Sequence, residues 1–355
     1  MSRFWSKNIP QLTPYTPGEQ PRLDNLIKLN TNENPYGPSP NVIAAIKVAT
    51  NDDLRKYPDP NAQVLKDTIA KTYNLTAKQV FVGNSSDEVL AHAFKGLLKK
   101  NNAVLIPDIT YSFYPVWCQL FNIELKTIPL NKDFTINVDG FKQSNDGIIF
   151  ANPNAPTGIA LELERIEEIL RSNPDSVVII DEAYADFSDD SAIKLIDQYP
   201  NLLVTQTLSK SRSLAGLRVG FACGNSELIE GLERVKNSFH PYALNQLAIA
   251  GAVAAFEDTD YFADTRQKVI NTRNDTAIKL NTLGFVILPS QSNFLMIKHP
   301  NIDAEKLFQM LREQGVVVRY FSAPRINEYI RISIGTEYEM TSLIEEIEKI
   351  LSAQT

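Results

Sequence analysis

The chain lacks most of what would mark an extracellular, metal-bound or membrane protein. It has two cysteines, Cys118 and Cys223, each in apolar company. That excludes a disulfide framework and points to a reducing compartment. The only histidines are His92, His240 and His299, and no His/Cys group has metal-ligand spacing. No apolar run approaches the roughly 20 residues that span a bilayer. Met1-Ser2-Arg3-Phe4-Trp5-Ser6-Lys7 has no apolar core of a signal peptide. Positive charge is also short: 35 Lys and Arg stand against 42 Asp and Glu, for a net charge of -7. A nucleic-acid binder needs a basic surface, so that class is excluded, although a few arginines in a cleft can still bind a small anion. The expectation is a soluble, cytoplasmic protein that handles small molecules.

What is present is an ordinary globular chain, 355 residues long and 43% hydrophobic, which suits one large and one smaller domain. The first ~45 residues are rich in Pro, Asn and Thr and read as an extended arm with turns. Short apolar runs follow, each ending in a polar cluster. Val80-Phe81-Val82 leads into Gly83-Asn84-Ser85-Ser86, Ala103-Val104-Leu105-Ile106 into Pro107-Asp108, and Ile148-Ile149-Phe150 into Ala151-Asn152-Pro153. Val177-Val178-Ile179-Ile180 stops at Asp181, and Leu202-Leu203-Val204 precedes Thr205 to Lys210. Unalternating apolar runs suit strands buried on both faces, and helix-like stretches such as Glu164 to Leu170 lie between them. This pattern predicts an α/β fold with a mostly parallel sheet covered by helices. Ligands of such sheets bind beyond the carboxyl ends of the strands, so Ser85, Asn152, Asp181 and Lys210 should converge. After ~250 longer amphipathic helices alternate with strand candidates at Phe285-Leu288, Phe294-Ile297, Val316-Val318 and Tyr329-Ile334. The expected division is an arm at 1–45 contributing to the small domain, a large domain at 46–250 and a small α+β domain at 251–355.

Alone, Lys210 reads as a solvated loop lysine, and Asp181 as a helix cap or turn residue. Together they match one cofactor's needs. Pyridoxal phosphate requires a lysine amine, an acid at the pyridine nitrogen, donors to the ring hydroxyl, and a phosphate cradle of hydroxyls, amides and an arginine. All four fall at strand ends here.

Ser209-Lys210 with Arg218 eight residues on, and Asn152-Pro153-Asn154-Ala155-Pro156-Thr157-Gly158 followed by Asp181-Glu182-Ala183-Tyr184, resemble the fold-type-I aminotransferases. The likeness runs from Leu29-Asn30-Thr31-Asn32-Glu33-Asn34-Pro35-Tyr36-Gly37 to Ile330-Arg331-Ile332-Ser333-Ile334-Gly335-Thr336. The first of these segments, with Val318-Arg319-Tyr320-Phe321 and Pro324-Arg325, resembles the histidinol-phosphate aminotransferases. The resemblance implies a seven-stranded sheet and a cofactor bonded to Lys210, which also shuttles the substrate proton. It implies that Asp181 pairs with the ring nitrogen, that Asn152 and Tyr184 bond the ring oxygen, and that Tyr111 stacks on the ring. Ser85, Ser86 and Asp87 at a helix start, with Thr207, Ser209 and Arg218, would cup the phosphate. Relatives commonly carry glycine where this chain has Ser85, which requires a compatible backbone angle there. Tyr57, in Arg55-Lys56-Tyr57-Pro58-Asp59, would reach the phosphate of a second subunit, so the resemblance implies a homodimer with shared active sites.

The same resemblance implies a phosphorylated amino alcohol, histidinol phosphate, as one substrate, with glutamate and 2-oxoglutarate as the other pair. Arg331 would bind phosphate or carboxylate bidentately, with Arg319, Asn34 and Tyr36 as further pocket candidates. An aromatic aminotransferase and a threonine-phosphate decarboxylase are the alternative readings. A transcription regulator carrying this domain would need a further ~70 residues for DNA binding.

Overall fold

The computed structural model describes residues 3–20, 26–98 and 101–353. Its strands are β1 (Ile27–Lys28), β2 (Val80–Asn84), β3 (Val104–Pro107), β4 (Leu125–Ile128), β5 (Ile148–Ala151), β6 (Val178–Asp181), β7 (Leu202–Thr207), β8 (Val219–Gly224), β9 (Val286–Ile287), β10 (Phe294–Lys298), β11 (Val316–Val317), β12 (Arg319–Tyr320) and β13 (Ile330–Ser333). Its α-helices are α1 (Pro40–Ala49), α2 (Gln63–Tyr73), α3 (Ser85–Gly96), α4 (Tyr114–Phe121), α5 (Leu163–Ser172), α6 (Ser226–Phe239), α7 (Gln246–Glu257), α8 (Thr259–Thr282), α9 (Ala304–Glu313) and α10 (Glu337–Ser352).

A seven-stranded sheet runs in the order β2-β8-β7-β6-β5-β3-β4. Its pairings are parallel except those of β8, which runs antiparallel to both β2 and β7. The central strands are apolar without alternation because both faces are covered. Ile148, Phe150, Val178, Ile180 and Val204 pack into one core, while Ile149, Ile179 and Leu203 point into the other. Helices form where apolar residues return every three or four positions: α5 buries Ile166, Ile169 and Leu170 beneath an acidic face.

The five apolar runs form β2, β3, β5, β6 and β7. The four later candidates form β9, β10, β11 and β13, and β12 follows the third of them. Helix α7 packs on α1 and α2, and its Ala248, Ala252 and Phe256 belong to the large-sheet core. From α8 onward most apolar side chains serve a separate core around the antiparallel sheet β12-β13-β10-β9, which also takes in Leu29 of the arm, while Leu288, Met296, Ile326 and Tyr329 pack into the large-sheet core. The arm is tied there by β1, which pairs in parallel with β11.

Candidate active site

The carboxyl ends of β2, β3, β6 and β7 open on one cavity of about 700 Å³, closed from above by the arm and by β12 and β13. Asp181 sits in its floor, only 3% exposed. Tyr114 Oη donates to its Oδ2 at 2.8 Å and the Ala183 amide to its Oδ1 at 3.3 Å. Burial pushes the carboxyl up to about 6. No cation lies within ion-pair distance of it among the described residues. A buried carboxylate held by donors but by no cation is suited to a cationic ligand group.

Lys210 follows β7 in a loop pinned by the buried Leu208 and Leu214. Its Nζ donates to the Thr31 carbonyl at 3.1 Å and lies 5.8 Å from the Tyr184 ring centroid. Beside it, Thr207 Oγ1 donates to Ser209 Oγ at 3.0 Å.

The third part of the cavity is the first turn of α3, where backbone N–H groups lack intrahelical partners and favour an anion. Ser85 opens that turn at φ 74°, in the left-handed region that glycine adopts without strain. Its amide donates to the Arg218 carbonyl at 2.9 Å, and Arg218 Nη2 donates to Asp87 Oδ2, also at 2.9 Å. Tyr111 Oη donates to the other Asp87 oxygen at 3.2 Å. Gly220 of β8 allows this closeness, since a Cβ there would lie 2.2 Å from the Ser86 nitrogen.

The fourth part comes from the four-stranded sheet β12-β13-β10-β9. Arg331 on β13 and Arg319 on β12 are paired across the strands, and both line the cavity. Arg331 Nη2 donates to the Asn30 carbonyl at 2.9 Å, whereas its buried Nε has no partner. The guanidinium lies 5.2 Å from the ring centroid of Phe294 and 5.5 Å from that of Phe321. Among the described residues neither arginine has a carboxylate within ion-pair distance. Burial and the neighbouring Arg319 lower the Arg331 pKa.

Of the residues expected from sequence, Ser85, Ser86, Asp87, Tyr111, Asp181, Tyr184, Thr207, Ser209, Lys210, Arg218, Arg319 and Arg331 all line this cavity. Three do not. Asn152 is turned away: its Nδ2 donates to the Leu161 carbonyl at 3.1 Å and its Oδ1 accepts from the Leu161 amide at 2.7 Å. Ala151, Ala155 and Pro156 face the cavity instead. Asn34 donates to the carbonyls of Lys210 and Ser211 at 3.0 and 3.1 Å, so it fixes the lysine loop from behind. Tyr36 packs against the small-domain core, with Lys268 Nζ 5.6 Å from its ring centroid. Tyr57 is 80% exposed and stacks on Tyr242 at 4.7 Å, away from this chain's own cavity.

Sequence reasoning missed Tyr114, which reads as a core residue of an apolar helix. It also missed Tyr15 of the arm, which lines the cavity, and Asn32, which donates to Tyr184 Oη at 2.9 Å. Asn32 stood inside a motif already singled out, so its polarity beside a buried strand was the available signal.

The residues fit pyridoxal phosphate. A buried carboxylate without a cation suits a protonated ring nitrogen, Lys210 supplies the amine, Tyr184 a hydroxyl, and the α3 turn with Ser209 and Arg218 an anion cup. The Asp87 carboxylate in that cup is already neutralised by Arg218.

The model of the family "Aminotransferase class I and II" matches residues 24–347. The chain is 57% identical over 345 residues to histidinol-phosphate aminotransferase 1 of Pseudomonas fluorescens, covering 97% of this chain and 99% of that protein. It is 56% identical over 354 residues to histidinol-phosphate aminotransferase 2 of Dechloromonas aromatica, with 99% of each covered. The fold matches that of histidinol-phosphate aminotransferase from Sinorhizobium meliloti, solved in complex with pyridoxal-5'-phosphate. There the TM-score is 0.84 at 23% identity, over 93% of this chain and 92% of that one.

Proposed function

The chain belongs to the class I and II aminotransferase family, and on that premise we propose that it exchanges the amino group of histidinol phosphate with 2-oxoglutarate in histidine biosynthesis, using pyridoxal phosphate. The observation that carries the substrate reading is the pair Arg319 and Arg331, two cations on the cavity wall with no carboxylate partner of their own. They suit an anion as highly charged as a phosphate, and the carboxylates of glutamate in the alternate half-reaction.

When bound, pyridoxal phosphate supplies an aldehyde that condenses with amines and a protonated ring that withdraws electrons from the substrate's amine-bearing carbon. The chain's own residues do the rest. Asp181, fixed by Tyr114, holds the proton on the ring nitrogen, since its negative charge in a buried setting favours the cation. Tyr184 donates to the ring oxygen. Ser85, Ser86, Thr207, Ser209 and Arg218 bind the cofactor phosphate. Lys210 Nζ would hold the cofactor through its aldehyde carbon and would move the proton of the substrate's amine-bearing carbon. Arg331 and Arg319 orient the substrate, and Phe294 and Phe321 exclude water around the guanidinium. Asn34 holds the lysine loop rather than the substrate.

Tyr57 supports a homodimer: a tyrosine 80% exposed yet stacked on Tyr242 is set to reach a second copy's phosphate cup. The arm and the two cores support the division into arm, large domain and small domain. Among the described residues no helix is long and apolar enough to cross a membrane, and a biosynthetic role fits the cytoplasm.

The test is the visible spectrum of the purified protein. A band that bleaches with histidinol phosphate and returns with 2-oxoglutarate is expected. Bleaching with glutamate but not with histidinol phosphate would move the substrate assignment elsewhere in the family. A protein that takes up no pyridoxal phosphate would sink the reading.

A further inference from the structure

Tyr184 Oη can donate one proton and accept others. It accepts from Asn32 Nδ2 at 2.9 Å, and no protein acceptor for its own proton is found among the described residues. The direction of the Asn32 bond is fixed by the groups behind it. Asn32 Oδ1 accepts from Ser333 Oγ at 2.9 Å, while Ser333 Oγ accepts from the Asn32 amide at 2.8 Å. Turning the Asn32 side chain over would leave the Ser333 proton, 2% exposed, without an acceptor. Asn293 Nδ2 clamps the Asn32 carbonyl at 3.0 Å, and Asn32 itself stands at φ 55° and 1% exposure. Its side chain can therefore only donate to Tyr184.

We infer that Asn32 is a positioning residue that forces the Tyr184 hydroxyl proton into the cavity, so that Tyr184 always meets the cofactor ring oxygen as a donor. The inference rests on the proposed role of Tyr184 at that oxygen. The clamp on Asn32 comes from β13 and from Asn293, which precedes β10, so the small domain sets the proton direction of a large-domain side chain. A donor to the ring oxygen would stabilise that oxygen's anion and weaken the hold of a proton on Lys210 Nζ beside it when that nitrogen is joined to the cofactor. Asn32 thereby lowers the pH at which the lysine-bound cofactor changes colour. Besides Lys210 and Tyr184, the charged or titratable groups lining the same cavity are Tyr15, Glu33, Asp87, Asp108, Tyr111, Asp181, Arg218, Arg319, Tyr320 and Arg331, and none of these is altered by the variants below.

The experiment is a spectrophotometric pH titration of the cofactor-loaded protein without substrate. Tyr184→Phe should raise the midpoint by about one pH unit, the worth of one hydrogen bond to a charged group. Asn32→Asp should raise it nearly as far, because a carboxylate only accepts and draws the Tyr184 proton out of the cavity. Asn32→Ala, which leaves Tyr184 free to donate, should move it less. In a Tyr184→Phe background Asn32→Asp should add nothing. A role in support alone predicts the opposite order, with the truncation to alanine worse than the isosteric aspartate. That order, or an aspartate shift that persists without the Tyr184 hydroxyl, overturns the inference. An unchanged midpoint in Tyr184→Phe overturns the Tyr184 role instead. Should Asn32→Asp not fold, Ser333→Ala frees the amide to turn and must raise the midpoint; no shift there also counts against the inference.

Discussion

Replacing Arg331 by methionine separates a substrate arginine from a structural one. The guanidinium has one protein hydrogen bond, to the Asn30 carbonyl, a buried Nε without a partner, and two aromatic faces nearby. With no carboxylate partner, its removal orphans no buried anion. Methionine keeps most of the volume, so the lost hydrogen bond and cation–π contacts, about 1 kcal/mol each, are offset by relief from desolvating a charge. Replacing buried ions with apolar groups is often neutral or stabilising. The net change in stability should stay within about 1 kcal/mol, roughly 1 °C in melting temperature for a chain this long. Binding is a different matter. A bidentate grip on phosphate or carboxylate is two charge-assisted hydrogen bonds of about 1.5–3 kcal/mol each. Their loss lowers kcat/KM by about 10²–10⁴-fold in each half-reaction. Single-turnover kinetics with histidinol phosphate and with glutamate, beside thermal melts of the loaded protein, measure both quantities. A melting temperature lower by more than about 4 °C, or damage to only one half-reaction, would refute the reasoning.

Three further outcomes are expected. Burial raises Asp181 to about 6 and Glu182 to about 7. Both lie above their unfolded values, so the stability each contributes is full below about pH 4 and is lost as pH rises through 6 and 7. Cofactor-free protein should therefore melt lower at pH 8 than at pH 5.5, and Asp181→Asn should reduce that difference while cutting turnover by orders of magnitude; a flat melting profile in the parent protein contradicts this. Mixing Tyr57→Ala with Lys210→Ala protein, each inactive alone, should restore activity at the site that joins one subunit's Tyr57 to the other's Lys210, and none would appear if each chain completes its own site. Ser85→Gly removes a left-handed strain of about 1–2 kcal/mol against about 0.5–1 kcal/mol of added chain entropy. The variant should be as stable as the parent or slightly more so by denaturant titration, with cofactor still bound; a clear loss would mean that the Ser85 hydroxyl bonds to Asp87 outweigh the strain.

The cavity wall was legible in the sequence because buried parallel strands are apolar until they emerge. The first polar residue after each run, Asp181 or the Thr207 to Lys210 cluster, is then at the ligand side. Two strands of the seven-stranded sheet were not legible. The edge strand β4 exposes Lys126 and Thr127 and has no continuous apolar face, and β8 carries Gly220 and Gly224, which weaken a strand pattern. Gly220 is explained only by the α3 turn pressed against it. Sequence could not say which amide of the Asn152-to-Gly158 loop faces the ligand: Asn152 bonds Leu161, Asn154 Nδ2 bonds the Ile109 carbonyl at 3.0 Å, and Ala155 takes the cavity position. Tyr114 escaped notice for a similar reason, since a fully buried aromatic shows its polar tip only when its neighbour is known.

The chemistry is divided between two cores, and the arm joins them. Lys210, Asp181 and Tyr184 are carried by the large sheet, whereas Arg319 and Arg331 are carried by the small one. Neither core alone can hold a substrate's anion in register with the amine that must take its proton. The arm enters the small-domain layer through β1 beside β11 and then contacts the large domain at the Thr31 carbonyl, which accepts from Lys210 Nζ, from Asn32 to Tyr184, and from Asn34 to the Lys210 and Ser211 carbonyls. Any movement of the small domain on the large one must therefore strain or carry these bonds. Apolar contacts such as Phe294 on Tyr184 also cross between the two cores, and three asparagines, Asn32, Asn34 and Asn293, add directional bonds there. That placement accounts for a polar segment in the middle of an otherwise apolar junction: directional hydrogen bonds fix the register that proton transfer at one carbon requires.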